Sequence, residues 1–257
     1  MLPNATIRDI LRMYCNGEVS EDEATAAIEG LRIEMIDGMA RIDTGRSVRC
    51  GMPEVVLAEG KEPEAFAEIM LAQVKAVGRC VATRVSPEHF AALRARLPPE
   101  VRMEHREAAR AVVLSTGDRP APRGGTVAIL TAGTSDIPVA EEARLIAEEM
   151  GCEVRTAYDV GVAGIHRLFS AIRDMIPADV FIVAAGREGT LPAIVAGLVD
   201  RPVIGVPVST GYGYMGGGEA ALASMLQACS VLAVVNIDAG FTAGAFAAQI
   251  AHGGGRA

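Results

Sequence analysis

The sequence has no long run of basic residues, and its formal net charge is -8 over 257 residues. Binding to nucleic acid or to an anionic membrane surface is therefore not expected. Long apolar runs are missing too: VFIVAA, at residues 180–185, is among the longest and is far shorter than a membrane span. Because MLPNATIRDI lacks a signal-peptide apolar region, we expect a cytoplasmic protein with no membrane partner.

Aromatic residues make up only 4% of the chain, so the core has to be built from Ala, Val, Ile, Leu and Met. Paired cysteines are also missing. The five cysteines form no CxxC motif and their number is odd, so neither a disulfide framework nor a zinc site is expected. The cysteines are Cys15, Cys50, Cys80, Cys152 and Cys229.

The second half of the chain repeats one pattern, in which a short apolar run ends at a glycine or polar turn and a helical run follows. Apolar runs with little alternation are typical of strands buried on both faces. Five strands alternating with helices predict a doubly wound parallel five-stranded sheet, whose ligands bind beyond the carboxyl ends of the strands. The predicted strands are 126–133, 153–160, 179–186, 201–209 and 231–238.

The first half is less regular and predicts a smaller α+β domain. Residues 7–31 predict two short helices, and Ser20 with Glu23 three residues later is a capping-box signature. Residues 42–61 predict a loop and a strand. The helix that follows is expected to end at Gly78.

A linker between the two halves is predicted at STGDRPAPRGG, residues 115–125, because the segment is rich in Pro and Gly. The first half shows no repeat in the second. We therefore expect an N-terminal α+β domain at residues 1–120 and a C-terminal α/β catalytic domain at residues 121–257.

Small polar residues follow the first predicted strand, in the segment TAGTSD. Thr134, Ser135 and Asp136 stand at a helix N-terminus, where free amides and the helix dipole favour an anion. The alternative is that Ser135 or Asp136 only caps the helix. The segment is not a GxGxxG and no P-loop lysine follows, so a dinucleotide-binding oxidoreductase is not favoured.

Further candidate residues follow the later strands. Glu188 precedes a helix marked by Pro192, so its carboxylate is either stabilised by the helix dipole or positioned to move a proton. Tyr212 stands in a glycine-rich loop, 211–218, that is either a disordered connection or a lid over a flat ring. His166 lies near the start of a crossover helix, where a histidine is more often a surface or capping residue.

The last predicted strand is framed by Cys229 and by the segment NID, which contains Asn236 and Asp238. Free cysteines are usually buried small hydrophobes, so the residue type alone favours an inert core position for Cys229. Asn236 and Asp238 come at the carboxyl end of the strand, where a sheet of this kind binds its ligand.

Two segments, TAGTSD and AAGREGTLPAIVAGLVDRPVIGVPVS, together with the five-strand order, resemble the PurE type of aminoimidazole ribonucleotide carboxylase. This resemblance covers residues 124–252 and implies a PurE/flavodoxin-like fold for the C-terminal domain. The chain departs from PurE at the S-A-H-R catalytic turn, where it reads AYDVGVAGIHRLF. His166 therefore stands farther from its strand than the PurE histidine does.

The chain is similar throughout to the LarB family, the carboxylase/hydrolase that begins assembly of the nickel-pincer nucleotide cofactor of lactate racemase. The family's D-x-x-R-x-x-R-x-G-x-P-E-V segment reads DTGRSVRCGMPEV here and contains Arg46 and Arg49. The family blocks DVGVAGIHR, GYG and VVNIDAGF, the last preceded by Cys229, follow in the same order. Several independent blocks in order make this resemblance specific.

The LarB resemblance implies a nucleotide substrate, nicotinic acid adenine dinucleotide. With CO2 or bicarbonate as co-substrate, the enzyme would carboxylate C5 of the pyridinium ring and hydrolyse the phosphoanhydride. The products would be AMP and pyridinium-3,5-biscarboxylic acid mononucleotide. By family position Cys229 is the nucleophile, which adds to the ring, and Glu188 is the candidate base for the C5 proton.

Binding roles follow for the remaining candidates. Arg46 and Arg49, in a segment expected to be a Gly-rich loop, either meet phosphate or pair with Asp43 and Glu54. Phosphoanhydride cleavage commonly uses Mg2+, which we expect as a cofactor, although no carboxylate cluster identifies its site. PurE-like domains form octamers, so a homo-octamer is expected. The expected substrate-binding residues are Thr134, Ser135, Asp136, Arg46, Arg49, His166, Tyr212, Asn236 and Asp238.

Two other functions remain open from the sequence. A PurE-like carboxylase or mutase acting on an aminoimidazole nucleotide would use the same sheet and would not need Cys229. A nucleotide-binding or cofactor-carrier module without catalysis would also fit the sheet, and it predicts binding without turnover.

Overall fold

The computed structural model of the chain describes residues 7–31, 33–36 and 40–254. The chain divides near Asp118 into two compact units, with the short segment Glu107–Arg110 grouped with the second unit. Each unit has its own hydrophobic core. They are called the N-terminal unit and the C-terminal unit below. The sequence predicts a domain boundary between residues 120 and 121, and that boundary stays a prediction.

The N-terminal unit combines short helices with antiparallel and parallel strands. A 3₁₀ turn, Glu107–Ala109, precedes its last strand. In chain order the elements are α1 Ile7–Cys15, α2 Glu21–Glu29, β1 Glu34–Ile36, β2 Ala40–Ile42, α3 Arg46–Cys50, β3 Val55–Leu57, α4 Pro63–Val77, β4 Arg79–Thr83, α5 Pro87–Ala95, β5 Arg102–Arg106 and β6 Ala111–Ser115.

A mixed four-stranded sheet, in the order β3-β4-β6-β5, forms the centre of the N-terminal unit. The pair β3–β4 is parallel, and the pairs β4–β6 and β5–β6 are antiparallel. Phe66 and Met70 on α4 and Leu93 on α5 are fully buried against Leu114 of the sheet. The predicted smaller α+β domain is therefore confirmed.

Local signals in the N-terminal half act as expected at two helix ends. Ser20 and Glu23 form the predicted capping box at the start of α2. Helix α4 ends at Gly78, which has a φ of 79° that favours glycine. The prediction of only loop and strand at residues 42–61 was incomplete, because the short helix α3 lies within this segment. Gly51, with a φ of 70°, ends α3.

Alternating strands and helices make up the C-terminal unit. Each helix connects two neighbouring strands in the chain, apart from the last helix, which follows the final strand. The elements are β7 Thr126–Thr131, α6 Ile137–Glu149, β8 Glu153–Ala157, α7 Ile165–Met175, β9 Val180–Ala185, α8 Thr190–Ala196, β10 Val203–Pro207, α9 Glu219–Leu226, β11 Ala233–Val234 and α10 Gly240–Gly254.

The five strands of this unit form one parallel sheet in the order β11-β10-β9-β7-β8. Every residue of the central strand β9 is buried, as expected for a strand covered on both faces. The strand order reverses between β7 and β9, because β8 lies on one side of β7 and all later strands lie on the other. This reversal is the point at which doubly wound sheets bind ligands. The predicted fold class is confirmed.

The first four predicted strands each contain an observed strand, which is two to four residues shorter than predicted. Residues 231–238 were expected to form a full strand, but β11 contains only Ala233 and Val234. This strand lies at the sheet edge, and after it the chain keeps only single bonds to β10, such as Asp238 N–H donating to Pro207 O at 2.9 Å. In the described part of the chain, no helix is long and apolar enough to cross a membrane.

Candidate active site

A cavity of about 360 Å³ lies at the carboxyl edge of the parallel sheet. The loops that follow β7, β8, β9 and β10 enclose it, so four consecutive strands contribute to one site. Its polar and charged lining residues are Ser135, Asp136, Asp159, Arg167, Arg187, Glu188, Thr190, Thr210 and Tyr212.

Glycines allow these loops to approach one another closely. A Cβ atom on Gly161 would lie 2.5 Å from the Ala132 carbonyl oxygen, and one on Gly186 would lie 2.8 Å from Thr210 Oγ1. Gly211 has no room for a side chain beside the Gly186 carbonyl. Backbone therefore packs against backbone around the cavity, which only glycine permits.

Asp136 is the buried carboxylate of the cavity, with 4% of its surface exposed. Its Oδ2 accepts a hydrogen bond from the Gly133 N–H at 2.8 Å, and the Thr210 hydroxyl donates to its Oδ1 at 3.4 Å. Burial raises the pKa of this carboxyl, and the charge of Glu188 adds to the increase. The side chain thus bonds back to the loop after β7 and makes no cap bond to α6.

Asp159 and Arg167 form an ion pair at the cavity wall, with Arg167 Nη1 2.5 Å from Asp159 Oδ2. The Asp159 N–H donates to Thr131 Oγ1 at 3.0 Å, which anchors the loop after β8 to the end of β7. Sequence reasoning quoted both residues in the block DVGVAGIHR but named only His166 as a candidate. A strand-end carboxylate eight residues before an arginine was the available signal.

Arg187, Glu188 and Tyr212 line the outer part of the cavity and are exposed. The Arg187 guanidinium carbon lies over the Tyr212 ring, 4.3 Å from the ring centre. Glu188 follows Arg187 in the turn before α8, where Gly189 has a φ of 69°. A carboxylate, a cation and an aromatic ring thus meet at the opening of the cavity.

The cavity contains four of the predicted site residues: Ser135, Asp136, Glu188 and Tyr212. Thr134 begins the 3₁₀ turn Thr134–Asp136 and is exposed outside the lining. His166, the second residue of α7, is likewise exposed and absent from the lining, whereas its neighbour Arg167 faces the cavity.

Asn236 and Asp238 lie after β11 and do not line the cavity. Asp238 has a φ of 55°, and its Oδ1 accepts a hydrogen bond from the Ser209 N–H at 2.8 Å. Asn236 Oδ1 accepts from the Ile237 N–H. Asp238 therefore supports the loop that carries Thr210 into the cavity.

Cys229 is exposed and lies in the segment between α9 and β11. Helix α9 begins just after Gly218, which lies beside Val208 and Ile237 at the carboxyl edge, and it runs back across the sheet. Because Cys229 follows α9 and precedes β11, it lies at the amino edge of the sheet, opposite the cavity. Within one chain the structure does not bring Cys229 and Glu188 together.

Arg46 and Arg49 belong to the N-terminal unit and lie on α3 rather than in a loop. Arg46 Nη1 is 3.0 Å from a carboxylate oxygen of Glu54, and Arg49 forms an ion pair with Asp43. The hydrogen bond that Arg49 donates to the Asp43 carboxylate raises the pKa of Arg49. Both guanidiniums thus have the carboxylate partners that the sequence offered as the alternative to phosphate.

The described residues, 7–31, 33–36 and 40–254, contain no clustered set of metal-binding side chains. None of these residues forms a group of three or more histidine, cysteine, aspartate or glutamate side chains able to hold a metal ion. The expectation of a bound Mg2+ stays a prediction, because one or two carboxylates together with substrate phosphates hold this ion without such a cluster.

The sheet and its carboxyl-edge cavity define a doubly wound α/β protein with a ligand site at the strand ends, and the family matches make it a carboxylase-type enzyme of the PurE-like class. Residues 126–254 match the family model described as AIR carboxylase, and these residues contain the whole parallel sheet. Residues 33–116 match the model described as LarB/PurE-like N-terminal domain. The chain belongs to the LarB-like family.

Three relatives illustrate the similarity. An uncharacterized protein of Methanocaldococcus jannaschii, MJ0165, is 43% identical over 256 residues, which are 95% of this chain and 96% of the relative. The N5-carboxyaminoimidazole ribonucleotide mutase of the same organism is 35% identical over 48% of this chain and 77% of its own. A probable N5-carboxyaminoimidazole ribonucleotide mutase of Methanothermobacter thermautotrophicus is 36% identical over 48% of this chain and 37% of its own.

Proposed function

We propose that this protein carboxylates C5 of the pyridinium ring of nicotinic acid adenine dinucleotide and hydrolyses its phosphoanhydride. The products are AMP and pyridinium-3,5-biscarboxylic acid mononucleotide, a precursor of the nickel-pincer nucleotide cofactor of lactate racemase. The observation that carries the proposal is the combination, in one chain, of a LarB-like N-terminal match with an AIR carboxylase-like unit. The cavity of that unit has a carboxylate, Glu188, at its opening.

The ring chemistry requires a nucleophile that both adds and leaves easily. The Cys229 thiolate adds to C4 of the electron-poor ring, which makes the C4–S bond and turns C5 into an enamine-like carbon. C5 then attacks CO2 and forms the new C–C bond. Glu188 takes the C5 proton, and the C–S electron pair leaves with the sulfur as the ring becomes aromatic again.

The cavity also has features that suit the nucleotide part of the substrate. Ser135 and Asp136 stand at the loop after β7, beside the start of α6. The Ser135 hydroxyl and backbone amides here are donors for phosphate or ribose oxygens. Hydrolysis adds water across the P–O–P bond and releases AMP. Mg2+ commonly assists such cleavage by offsetting charge, and it would be held by carboxylates together with the substrate phosphates.

The separation of Cys229 from Glu188 within one chain bears on assembly. A site that needs both groups requires Cys229 from a second copy of the chain. Leu226 and Val231, which flank Cys229 in the sequence, are 66% and 93% exposed, so this segment carries apolar surface that a neighbouring subunit would cover. Such sharing occurs either reciprocally in a two-fold pair or head-to-tail in a ring whose rotation closes. Both contacts are compatible with the homo-octamer, which is part of the proposal.

Direct assay tests the proposed reaction. Purified protein is incubated with nicotinic acid adenine dinucleotide and bicarbonate, with and without added Mg2+, and the mixture is analysed by mass spectrometry. AMP and the doubly carboxylated mononucleotide are expected in equal amounts, and the Cys229→Ser variant is expected to form no carboxylated product. Absence of the carboxylated product with the wild-type protein under both conditions would refute the proposal.

A second candidate function is favoured by the names of two relatives, which are N5-carboxyaminoimidazole ribonucleotide mutases. A mutase of this kind would act on an aminoimidazole ribonucleotide at the same cavity and would not need Cys229. Conversion of N5-carboxyaminoimidazole ribonucleotide by both wild type and Cys229→Ser would establish this function in place of the first.

A further inference from the structure

Five charged side chains line the cavity, and two of them, Arg167 and Arg187, are cations. Only one of these two arginines forms an ion pair with a carboxylate. Arg167 is paired with Asp159 at 2.5 Å. Arg187 forms no ion pair with a carboxylate anywhere in residues 7–31, 33–36 and 40–254; its contact is the Tyr212 ring. Arg187 is thus the positive charge of the cavity that an incoming anion can bind without displacing a protein carboxylate.

The position of Arg187 is set by a close backbone contact between two loops. Gly211 lies against the carbonyl of Gly186, with no space for a side chain between them. Arg187 and Tyr212 are the next residues in the two loops, so this contact brings their side chains together. Stacking on an aromatic ring restrains a guanidinium while leaving its N–H donors free.

The neighbour of Arg187 indicates which anion it binds. Glu188 lines the same cavity, and in the proposed reaction it takes the proton from C5 of the pyridinium ring. The ring must therefore lie beside Glu188 and within reach of the residue before it. The anionic group attached to that ring is the carboxylate at C3, whereas the phosphates lie beyond the ribose. A carboxylate also matches the two-pronged donor geometry of a guanidinium.

We infer that Arg187, positioned by Tyr212, binds the ring carboxylate and makes the enzyme select nicotinic acid dinucleotides over nicotinamide dinucleotides. The inference rests on the proposed function for the orientation of the ring. The amide of NAD is neutral and lacks the charge that Arg187 recognises. The preference for the acid dinucleotide over NAD therefore comes from a charge-assisted hydrogen bond that Arg187 forms only with the ring carboxylate.

Binding of the two dinucleotides tests this assignment. Dissociation constants for nicotinic acid adenine dinucleotide and for NAD are measured without CO2 for wild type, Arg187→Gln and Arg201→Gln. Arg201 is the matched control, an exposed arginine of the same unit outside the cavity. Arg187→Gln is expected to weaken binding of the acid dinucleotide about 10- to 100-fold and to change NAD binding little. Arg201→Gln should change neither constant.

Other results would assign Arg187 a different role. Equal weakening for both dinucleotides would mean that Arg187 binds a phosphate common to them, and no weakening would remove it from substrate binding; either result overturns the inference. Tyr212→Phe should keep the acid preference and Tyr212→Ala should reduce it. If the wild-type protein prefers the acid dinucleotide through Arg187 but forms no carboxylated product, the proposed reaction is refuted. The role of Arg187 in binding would then stand.

Discussion

Cys229 is the single residue on which the proposed chemistry depends most. Its exposure fits a reactive thiol better than the core position that its residue type suggests. Incubation with NAD or with nicotinic acid adenine dinucleotide, without CO2, is expected to produce an absorbance band from the dearomatised ring. Cys229→Ser should lack the band, because a serine hydroxyl is seldom ionised near neutral pH.

A second exposed cysteine of the chain provides the control for this experiment. Cys50 lies at the end of α3 in the N-terminal unit. Cys50→Ser should keep the band at full intensity. A full-strength adduct in the serine variant at position 229 would exclude the cysteinyl mechanism.

Asp136 is expected to make stability depend on pH. Burial raises its pKa above that of an ordinary aspartate, so the folded state binds this proton more tightly than the unfolded chain does. Acidification from neutral pH therefore favours folding through this group, until the pH falls below the unfolded pKa and both states are protonated. Asp136→Asn removes this contribution.

Thermal unfolding at pH 7 and pH 5 measures the effect of Asp136. The difference in melting temperature between wild type and Asp136→Asn should shift in favour of the wild type as the pH is lowered. A difference that stays constant, or that shifts in favour of the variant, would show that burial does not raise the pKa of this carboxyl.

At the scale of elements, the contact between α6 and α10 depends on two glycines one helical turn apart. Gly240 and Gly244 face the backbone of α6 so closely that a Cβ atom would collide with the carbonyls of Val139 and Ala143. Gly244→Ala should force the helices apart and lower the free energy of unfolding by about 1–3 kcal/mol. Gly253→Ala, in the same helix with no atom nearby, should be neutral or slightly stabilising.

Urea unfolding of both glycine variants measures this cost. If Gly244→Ala and Gly253→Ala had the same stability, the close approach of α6 and α10 would not be required in solution. The comparison separates packing from helix propensity, because both substitutions replace glycine by alanine in α10.

On the scale of the whole molecule, the separation of Cys229 from the cavity predicts that sites are shared between subunits. An assembly that contains only Cys229→Ser chains should be inactive, and so should one that contains only Glu188→Gln chains. Co-expressed together, the two variants should recover about one quarter of the wild-type sites, because some sites then take Cys229 and Glu188 from intact positions in two different chains. Product formation per subunit measures the recovery.

Two controls accompany the mixing experiment. A double variant carrying both substitutions, co-expressed with either single variant, should remain inactive. Sedimentation should show an octamer, and a stable monomer at micromolar concentration would contradict the assembly. Zero recovery from mixed single variants in an intact assembly would show that both groups come from one chain.

Much of the fold could be predicted because its signals are local. Runs such as Val180–Ala185 are apolar throughout, and this pattern is sufficient to indicate a strand buried on both faces. Capping of α2 by Ser20 and termination of α4 at Gly78 follow from residue chemistry within one helical turn. The length of β11 could not be predicted in this way, because its pairing depends on the neighbouring strand and on its place at the sheet edge.

For the site, the sequence was sufficient to name Ser135, Asp136, Glu188 and Tyr212, since each follows a predicted strand and parallel strands end at a common edge. Only the tertiary structure shows that Arg167 is neutralised by Asp159 while Arg187 is stacked on Tyr212. It also places Cys229 at the opposite edge of the sheet. Pairing of charges and distance across a sheet depend on segments far apart in the chain, which local residue patterns do not specify.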